Sequence, residues 1–393
     1  MTLQFKTTGT VNETASYSLP KLLSYFLKLG TIGFGGPIAL IGYMEHDLVE
    51  ERGWLTKDQY LRGLALSQLA PGPLAAQLAM YTGYVKNGFV GATCTGIVFV
   101  LPSFIMVVLL GLLYKIYGGL AWMQAVFYGV GAAVIGIIAK SAYKLTKLTL
   151  KSDALLWGIF IVMWAVTAYT EQEIAWLFVL CGFVPLLRLA PPKWLNRGLQ
   201  LLVPSSGTAI LPLSDSTLAP SFGTIFLFFA KAGAFVFGSG LAVVPFLYGS
   251  TVEQYHWLNQ RQFLDAVAVA MITPGPVVIT VGFIGYLVGN LPGAIAAALG
   301  VFLPVYLVVV FLTPYYERFA QNSYVHAFVQ GVTSAATGAI AGAVIVLGRR
   351  AIVDAPTALI ALGALGAVLR TKVPDPVIVF LAGVIGLLLS HFH

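Results

Sequence analysis

The chain is short of charge. Only 9% of its 393 residues are Asp, Glu, Lys or Arg, where soluble globular domains carry roughly 25%, and this scarcity excludes an ordinary soluble protein. The 22 Lys and Arg exceed the 15 Asp and Glu by a net charge of +7. That excess is spread too thinly over apolar sequence to build a nucleic-acid-binding face and reads instead as loop charge that orients membrane spans. Cysteine is nearly absent. Cys94 and Cys181 both sit in apolar runs without CxxC spacing, which indicates neither a metal site nor a disulfide framework. His46, His256, His326, His391 and His393 all fall at span ends or termini, so the axial pair of a membrane haem or quinone enzyme is missing. The nucleophile and base of an intramembrane hydrolase are missing too. No GxxxxGK[ST] run occurs, which excludes a nucleotide-driven motor within the chain. The opening MTLQFKTTGTVNETASYS lacks a charged n-region followed by an apolar h-region, so no cleavable signal is expected. Together these absences argue against an enzyme and against any cofactor.

What is abundant is apolar sequence, 58% of the chain, interrupted by 42 Gly and 20 Pro. Such a content would break most soluble helices, but membrane bundles tolerate it because neighbouring helices satisfy the freed backbone groups. The pattern predicts an all-α polytopic membrane protein. Apolar stretches near the roughly 20 residues that a bilayer requires fall at about 20–44, 59–85, 88–114, 120–142, 154–170 and 173–189, then at 222–248, 262–288, 291–313, 325–348, 355–370 and 374–390. They divide the chain into a polar tail (1–19), a first repeat (20–189), a Pro- and Ser-rich linker (190–221) expected on the cytoplasmic side, and a second repeat (222–393).

The halves are duplicates. At a constant offset of 203, residues 28–73 meet 231–276 with 15 identities and no gap, among them Lys28 with Lys231, Trp54 with Trp257, and Pro71-Gly72-Pro73 with Pro274-Gly275-Pro276. After one deletion the offset becomes 202, and Gly83-Tyr84, Leu101-Pro102 and Gly136 meet Gly285-Tyr286, Leu303-Pro304 and Gly338. Matching Pro, Gly and Trp cannot arise from shared hydrophobicity alone. Two interruptions recur inside apolar segments: GTIGFGGP (30–37) against GAFVFGSG (233–240), and LAPGP (69–73) against ITPGP (272–276). Duplicated membrane proteins with broken helices at corresponding places are typically transporters, with substrate bound at the repeat interface.

The runs FLKLGTIGFGGP and APGP in the first half, with FFAKAGAFVFGSG, TPGP and FIGY in the second, resemble the two halves of a long-chain chromate ion transporter family member. The resemblance covers about 20–145 and 222–350. It implies export of chromate, with sulfate as a related anion, across a bacterial inner membrane by two homologous domains in opposite orientations.

A tetrahedral dianion that leaves water needs replacement donors, and half-helix N-termini supply them through free N–H groups and the positive end of the helix dipole. The expected substrate-binding set in the first half is therefore Lys28, Thr31, Gly35, Gly36, Ser67, Pro71, Gly72, Pro73 and Leu74. In the second half it is Lys231, Gly238, Ser239, Gly240, Thr273, Pro274, Gly275, Pro276 and Val277. No metal is expected, and the partners are a small oxyanion and the lipid bilayer, with a homodimer left open. Lys28 and Lys231 read either as ligands or as snorkelling side chains. The cluster Lys140, Lys144, Lys147 and Lys151 reads as a positive-inside loop. Counting each PGP element as a re-entrant hairpin leaves an odd number of spans per half and inverts the repeats. A passive anion channel and an uptake carrier for sulfate or another small anion are the alternative readings.

Overall fold

The computed structural model describes residues 17–34, 36–118, 120–170, 175–189, 220–235, 243–315, 322–371 and 373–389, and these contain helices and turns but no strand. The linker expected at 190–221 lies almost wholly outside the described residues.

In the first half α1 spans Leu19–Ile32 with a proline in its first turn, and buries a stripe of Leu22, Tyr25, Phe26, Leu29 and Gly30, the spacing of one helical face. After a break at Gly33, α2 (Gly36–Glu45) runs into a π-helical turn, His46–Glu51. A capping box of Thr56 and Gln59 opens α3 (Lys57–Leu69); α4 spans Leu74–Tyr117, α5 Ala121–Leu150, α6 Ala154–Thr170 and α7 Ala175–Leu189. The second half repeats the order. Helix α8 is Phe222–Phe235, α9 is Val243–Tyr248 with its own π-helical turn Gly249–Gln254, and α10 is Gln260–Ile272 behind a capping box of Asn259 and Gln262. A 3-10 turn, Val277–Ile279, leads into α11 (Thr280–Leu312), followed by α12 (Ser323–Ala351), α13 (Ala355–Arg370) and α14 (Asp375–Leu389). The π-helical turns and capping boxes fall at corresponding positions, so the duplication extends to local backbone geometry.

Among the described residues, four helical stretches are long and apolar enough to cross a membrane: Leu74–Tyr117, Ala121–Lys147, Val277–Tyr315 and Ser323–Ala351. The first and third each contain a reversal. Helical geometry fails at Asn87 and Gly88 in α4 and at Gly289 and Asn290 in α11. A Cβ on Gly83 would collide with the Gly91 carbonyl oxygen, and one on Gly285 with that of Gly293. Residues eight apart on a straight helix are about 12 Å apart, so each long helix folds back on itself as a short arm and a long arm. These reversals coincide with the boundaries expected between 85 and 88 and between 288 and 291.

The halves interlock through exchanged helices. The α5 helix of the first half packs against α13 and α14 of the second, while α12 of the second packs against α6 and α7 of the first. Glycines make the approach close: Gly136 faces the backbone of Ala361, and its repeat counterpart Gly338 faces that of Phe160. The main core runs through both halves, with Phe26, Phe99, Phe229, Phe263 and Phe283 fully buried. A second core joins Leu150, Leu156, Ile159, Met163 and Phe178 to Val332, Ala335, Ala336 and Ala339. On the outer faces of α13 and α14, Leu359 and Phe380 are 70% and 69% exposed, an apolar surface that a bilayer would cover.

One expectation is corrected. Lys140, Lys144 and Lys147 do not lie on a loop but on the last turns of α5, which continues to Leu150. Lysine is a good helix former, and the hydropathy that ended the expected span at 142 measures partition into lipid rather than helix propensity.

A Cβ on Gly386 would lie 2.8 Å from the Gly129 amide nitrogen and collide with the Ala125 carbonyl, whereas one on Gly363 meets open space. Gly386→Leu should therefore destabilise the bundle by about 1–3 kcal/mol through overpacking and lower the unfolding midpoint of the detergent-solubilised protein by several degrees. Gly363→Leu should leave that midpoint unchanged. Heating followed by size-exclusion chromatography compares the two; equal midpoints would contradict the packing described.

Candidate functional site

The two PGP turns are built alike. In the first, α3 ends at Leu69, Ala70 is extended, Gly72 has φ +136, and α4 starts after Pro73, which caps it without a side-chain hydrogen bond. In the second, α10 ends at Ile272, Thr273 is extended, Gly275 has φ +90, and Pro276 precedes Val277. Only glycine takes such φ values without strain, and the prolines supply no N–H that would continue a helix.

Each turn sits against the other half. A Cβ on Gly72 would come within 2.8 Å of Val305 Cγ2, and one on Gly275 would collide with Ser103 Oγ. Ser103 and Val305 are themselves counterparts at the offset of 202, so the contact is reciprocal. The Gly275 N–H donates to the Gly33 carbonyl at 2.9 Å, and Ser103 Oγ donates to the Gly30 carbonyl at 3.2 Å. The break in α1 of one half is thereby hydrogen-bonded to the PGP turn of the other.

A cavity of about 1720 Å³ opens onto these breaks. Gly33, Phe34, Leu74, Thr273, Gly275 and Val277 line it from the breaks. Its wall also carries charge: Lys140 and Lys144 from α5, Lys151 and Asp153 from the turn after it, Arg188 from α7, and Asp375 from α14. Arg188 Nη1 lies 2.9 Å from Asp153 Oδ2, and Lys140 Nζ lies 3.7 Å from Asp375 Oδ1. Among the described residues Lys144 and Lys151 form no ion pair. Four cations against two carboxylates leave an excess of two positive charges, with His326 of the same wall counted as neutral.

The sequence-derived residues are distributed unevenly. Leu74, Thr273, Gly275 and Val277 line the cavity, and Pro71, Gly72, Pro73, Pro274 and Pro276 shape the turns behind it. Ser67 is buried and donates to the Gly63 carbonyl at 2.8 Å, while Thr31 is exposed and donates to Leu27 at 2.7 Å. Both hydroxyls thus serve their own helices. Thr273 Oγ bonds Val269 at 3.0 Å yet still borders the cavity. Gly36 opens α2, whereas Gly35, Gly238, Ser239 and Gly240 lie outside the described residues. Lys28 and Lys231 are exposed, and neither lines the cavity. The buried stripe of α1 runs through Leu22, Tyr25, Phe26 and Leu29, which leaves Lys28 on the outer face.

Lys140, Lys144, Lys151 and Arg188 were not among the expected ligands. A signal for three of them was present, since spacings of four and seven residues put them on one stripe once α5 is extended. Their partners in other helices were not visible in it. Arg62 and Asp265, repeat counterparts of opposite sign, go separate ways: Arg62 Nε lies 2.8 Å from Asp58 of its own helix, and Asp265 is buried against Tyr114. Among the described residues, His46, Asp47 and Glu51 bring metal-ligating atoms within 4.8 Å of one another, but none of the three borders the cavity.

Comparison with known proteins agrees with this architecture. The sequence model described as chromate transporter matches residues 20–186 and 223–387, one match per half. A chromate transport protein of Cupriavidus metallidurans is 58% identical over 96% of this chain and 95% of its own. A probable chromate transport protein of Synechococcus elongatus is 55% identical over 95% of this chain and 96% of its own, and a chromate transport protein of Pseudomonas aeruginosa is 32% identical over 72% and 69%. No solved structure matches. With both of its halves matched, the chain belongs to the chromate transporter family of membrane ion transporters.

Proposed function

We propose that the protein is a secondary transporter that moves chromate out of the cell across the inner membrane, with sulfate as a related anion, by alternating access at the interface of its two halves. The observation that carries this reading is a cavity that touches both PGP turns and holds two positive charges in excess. A chromate or sulfate ion carries two negative charges. It is attracted by Lys144 and Lys151 in the cavity wall and meets the start of α4 and of the 3-10 turn before α11, where Leu74 and Val277 line the cavity and the leading N–H groups have no intrahelical partners. Fixed backbone donors can replace the water that the ion sheds without first reorganising.

The inverted arrangement of the repeats belongs to the same proposal. Helix α3 has 13 residues, about 20 Å of helix, too short for a hydrocarbon core of about 30 Å. A Cβ on Gly63 of α3 would lie 2.5 Å from Tyr81 Cε1 in the short arm of α4, so the two segments lie side by side. Read as a re-entrant hairpin, they leave five spans per half and a pseudo-two-fold axis in the membrane plane. Exchange between such halves would expose the cavity to either side in turn.

Gly275→Leu should abolish chromate uptake into everted vesicles at normal protein level, because the new side chain would drive into Ser103 and the Gly33 hydrogen bond; normal uptake would remove the PGP turn from the mechanism.

Replacing Lys144 and Lys151 together by Met should raise the half-saturating chromate concentration tenfold or more, equivalent to about 1.4 kcal/mol, with Arg at both positions keeping part of the affinity. Lys28→Met with Lys231→Met should transport with unchanged affinity if those side chains only snorkel. Initial rates over a range of chromate concentrations separate the two pairs, and the proposal fails if the cavity pair proves silent.

A further inference from the structure

Asp265 is the one carboxylate in the buried polar set of the described residues, with 3% of its surface exposed. It lies in α10 of the second half, and its Oδ2 accepts a hydrogen bond of 2.6 Å from Tyr114 Oη at the far end of α4 of the first half. The Tyr114 ring is held edge-on by Phe127 and Phe283, each with its centroid 5.6 Å away. The contact therefore spans the two halves in an otherwise apolar setting.

Among the described residues no cation forms an ion pair with this carboxylate. Arg261, one turn earlier on the same helix, acts on it through space, but its guanidinium is hydrogen-bonded to Gln124 of α5, Nη1 to the side chain and Nη2 to the carbonyl, both at 3.3 Å. Of the other elements packed on α10, α4 carries Lys115 beside Tyr114, but its Nζ donates to Asn290 Oδ1 at 2.6 Å. Helix α11 has no charged residue, Lys140 of α5 and Asp375 of α14 face each other, and Arg350 of α12 is engaged with Glu253 at 2.9 Å. Arg349 of α12 is exposed, and His326 borders the cavity. The repeat counterpart, Arg62, sits in the first half beside Asp58, so the duplication did not require a carboxylate here. An ionised carboxylate so enclosed is costly without a cation, and gaining a proton removes that cost.

We infer that Asp265 is the proton-carrying site of the transporter, taking a proton from water on one side of the membrane and releasing it to water on the other as the two halves exchange positions. The inference rests on the transport reading above. One carboxylate oxygen gains the proton from hydronium and later returns it to water; Tyr114 keeps its own proton and acts as a positioning residue. In the ionised form the Tyr114 bond ties α4 to α10. In the protonated form that bond loses its charge assistance, which weakens the tie between halves. The proton on Asp265 and the anion in the cavity are thereby linked through the same movement.

The test uses the full-length protein in liposomes, comparing wild type with Asp265→Asn, which keeps an acceptor for Tyr114, and with Tyr114→Phe. Three quantities are read: chromate exchange without a gradient, chromate accumulation driven by an imposed pH difference, and the infrared absorption of a protonated carboxyl group as pH is varied. The expected result is that Asp265→Asn still exchanges chromate, loses at least tenfold in pH-driven accumulation, and lacks a titrating carboxyl band present in wild type and shifted in Tyr114→Phe. Wild-type accumulation by Asp265→Asn, absence of pH-driven accumulation in wild type, or loss of exchange together with accumulation in a monodisperse Asn variant would each overturn it. If wild type exchanges no chromate at all, the transport reading fails. The infrared band then decides alone whether Asp265 carries a proton, its absence from wild type overturning the inference.

Discussion

The hydrogen bond from the Gly275 amide to the Gly33 carbonyl joins an unwound segment of one half to an unwound segment of the other. Backbone that leaves helical geometry at membrane depth has no water to turn to, and each unsatisfied N–H or C=O costs several kcal/mol. A broken helix is therefore tolerable there only where protein covers it. Here the cover comes from the other half: Ser103 of α4 sits over Gly275, and Val305 of α11 over Gly72. Neither half can keep its breaks in place alone, and the exchange of α5 and α12 between halves follows the same logic on a larger scale.

The charges around the cavity are partly neutralised within it. The Lys140–Asp375 pair links α5 to α14 across the halves, and Arg188–Asp153 holds α7 beside the start of α6. Such half-exposed pairs contribute little stability. They leave Lys144 and Lys151 as the cations of the cavity wall without an ion pair among the described residues.

Duplication preserved the scaffold and let the polar groups diverge. The π-helical turns of both halves carry an equivalent glutamate. Glu50 pairs with His46 on an exposed turn, whereas Glu253 takes Arg350 at 2.9 Å and Tyr248 at 3.0 Å. Arg52 lies over the Trp54 ring in the first half, while its counterpart Tyr255 stacks on Trp257 in the second. Ser103 has Val305 as its repeat counterpart, and Arg62 has Asp265. Two similar backbones thus carry different polar chemistry.

Much of the architecture was legible in the chain itself. Hydropathy and Gly and Pro punctuation located the elements: 154–170 and 355–370 agree with α6 and α13, and the gaps after 85 and 288 mark the reversals in α4 and α11. The offsets of 203 and 202 reveal the duplication and both helix breaks. These features are local, or repeat in register, and a linear pattern records them. Which side of each helix faces a partner is different in kind. Lys28 and Lys231 were legible as matched charges, yet they lie on exposed faces, while Lys140, Lys144 and Lys151 passed for loop charge and line the cavity. Tyr114 and Asp265 are 151 residues apart, and nothing in either neighbourhood names the other. Partition of a residue between water and lipid is a property of its side chain and its near neighbours, so the sequence by itself determined the spans, the breaks and the repeat. Facing and pairing depend on groups brought in from the other half of the chain, and only the tertiary structure decided those.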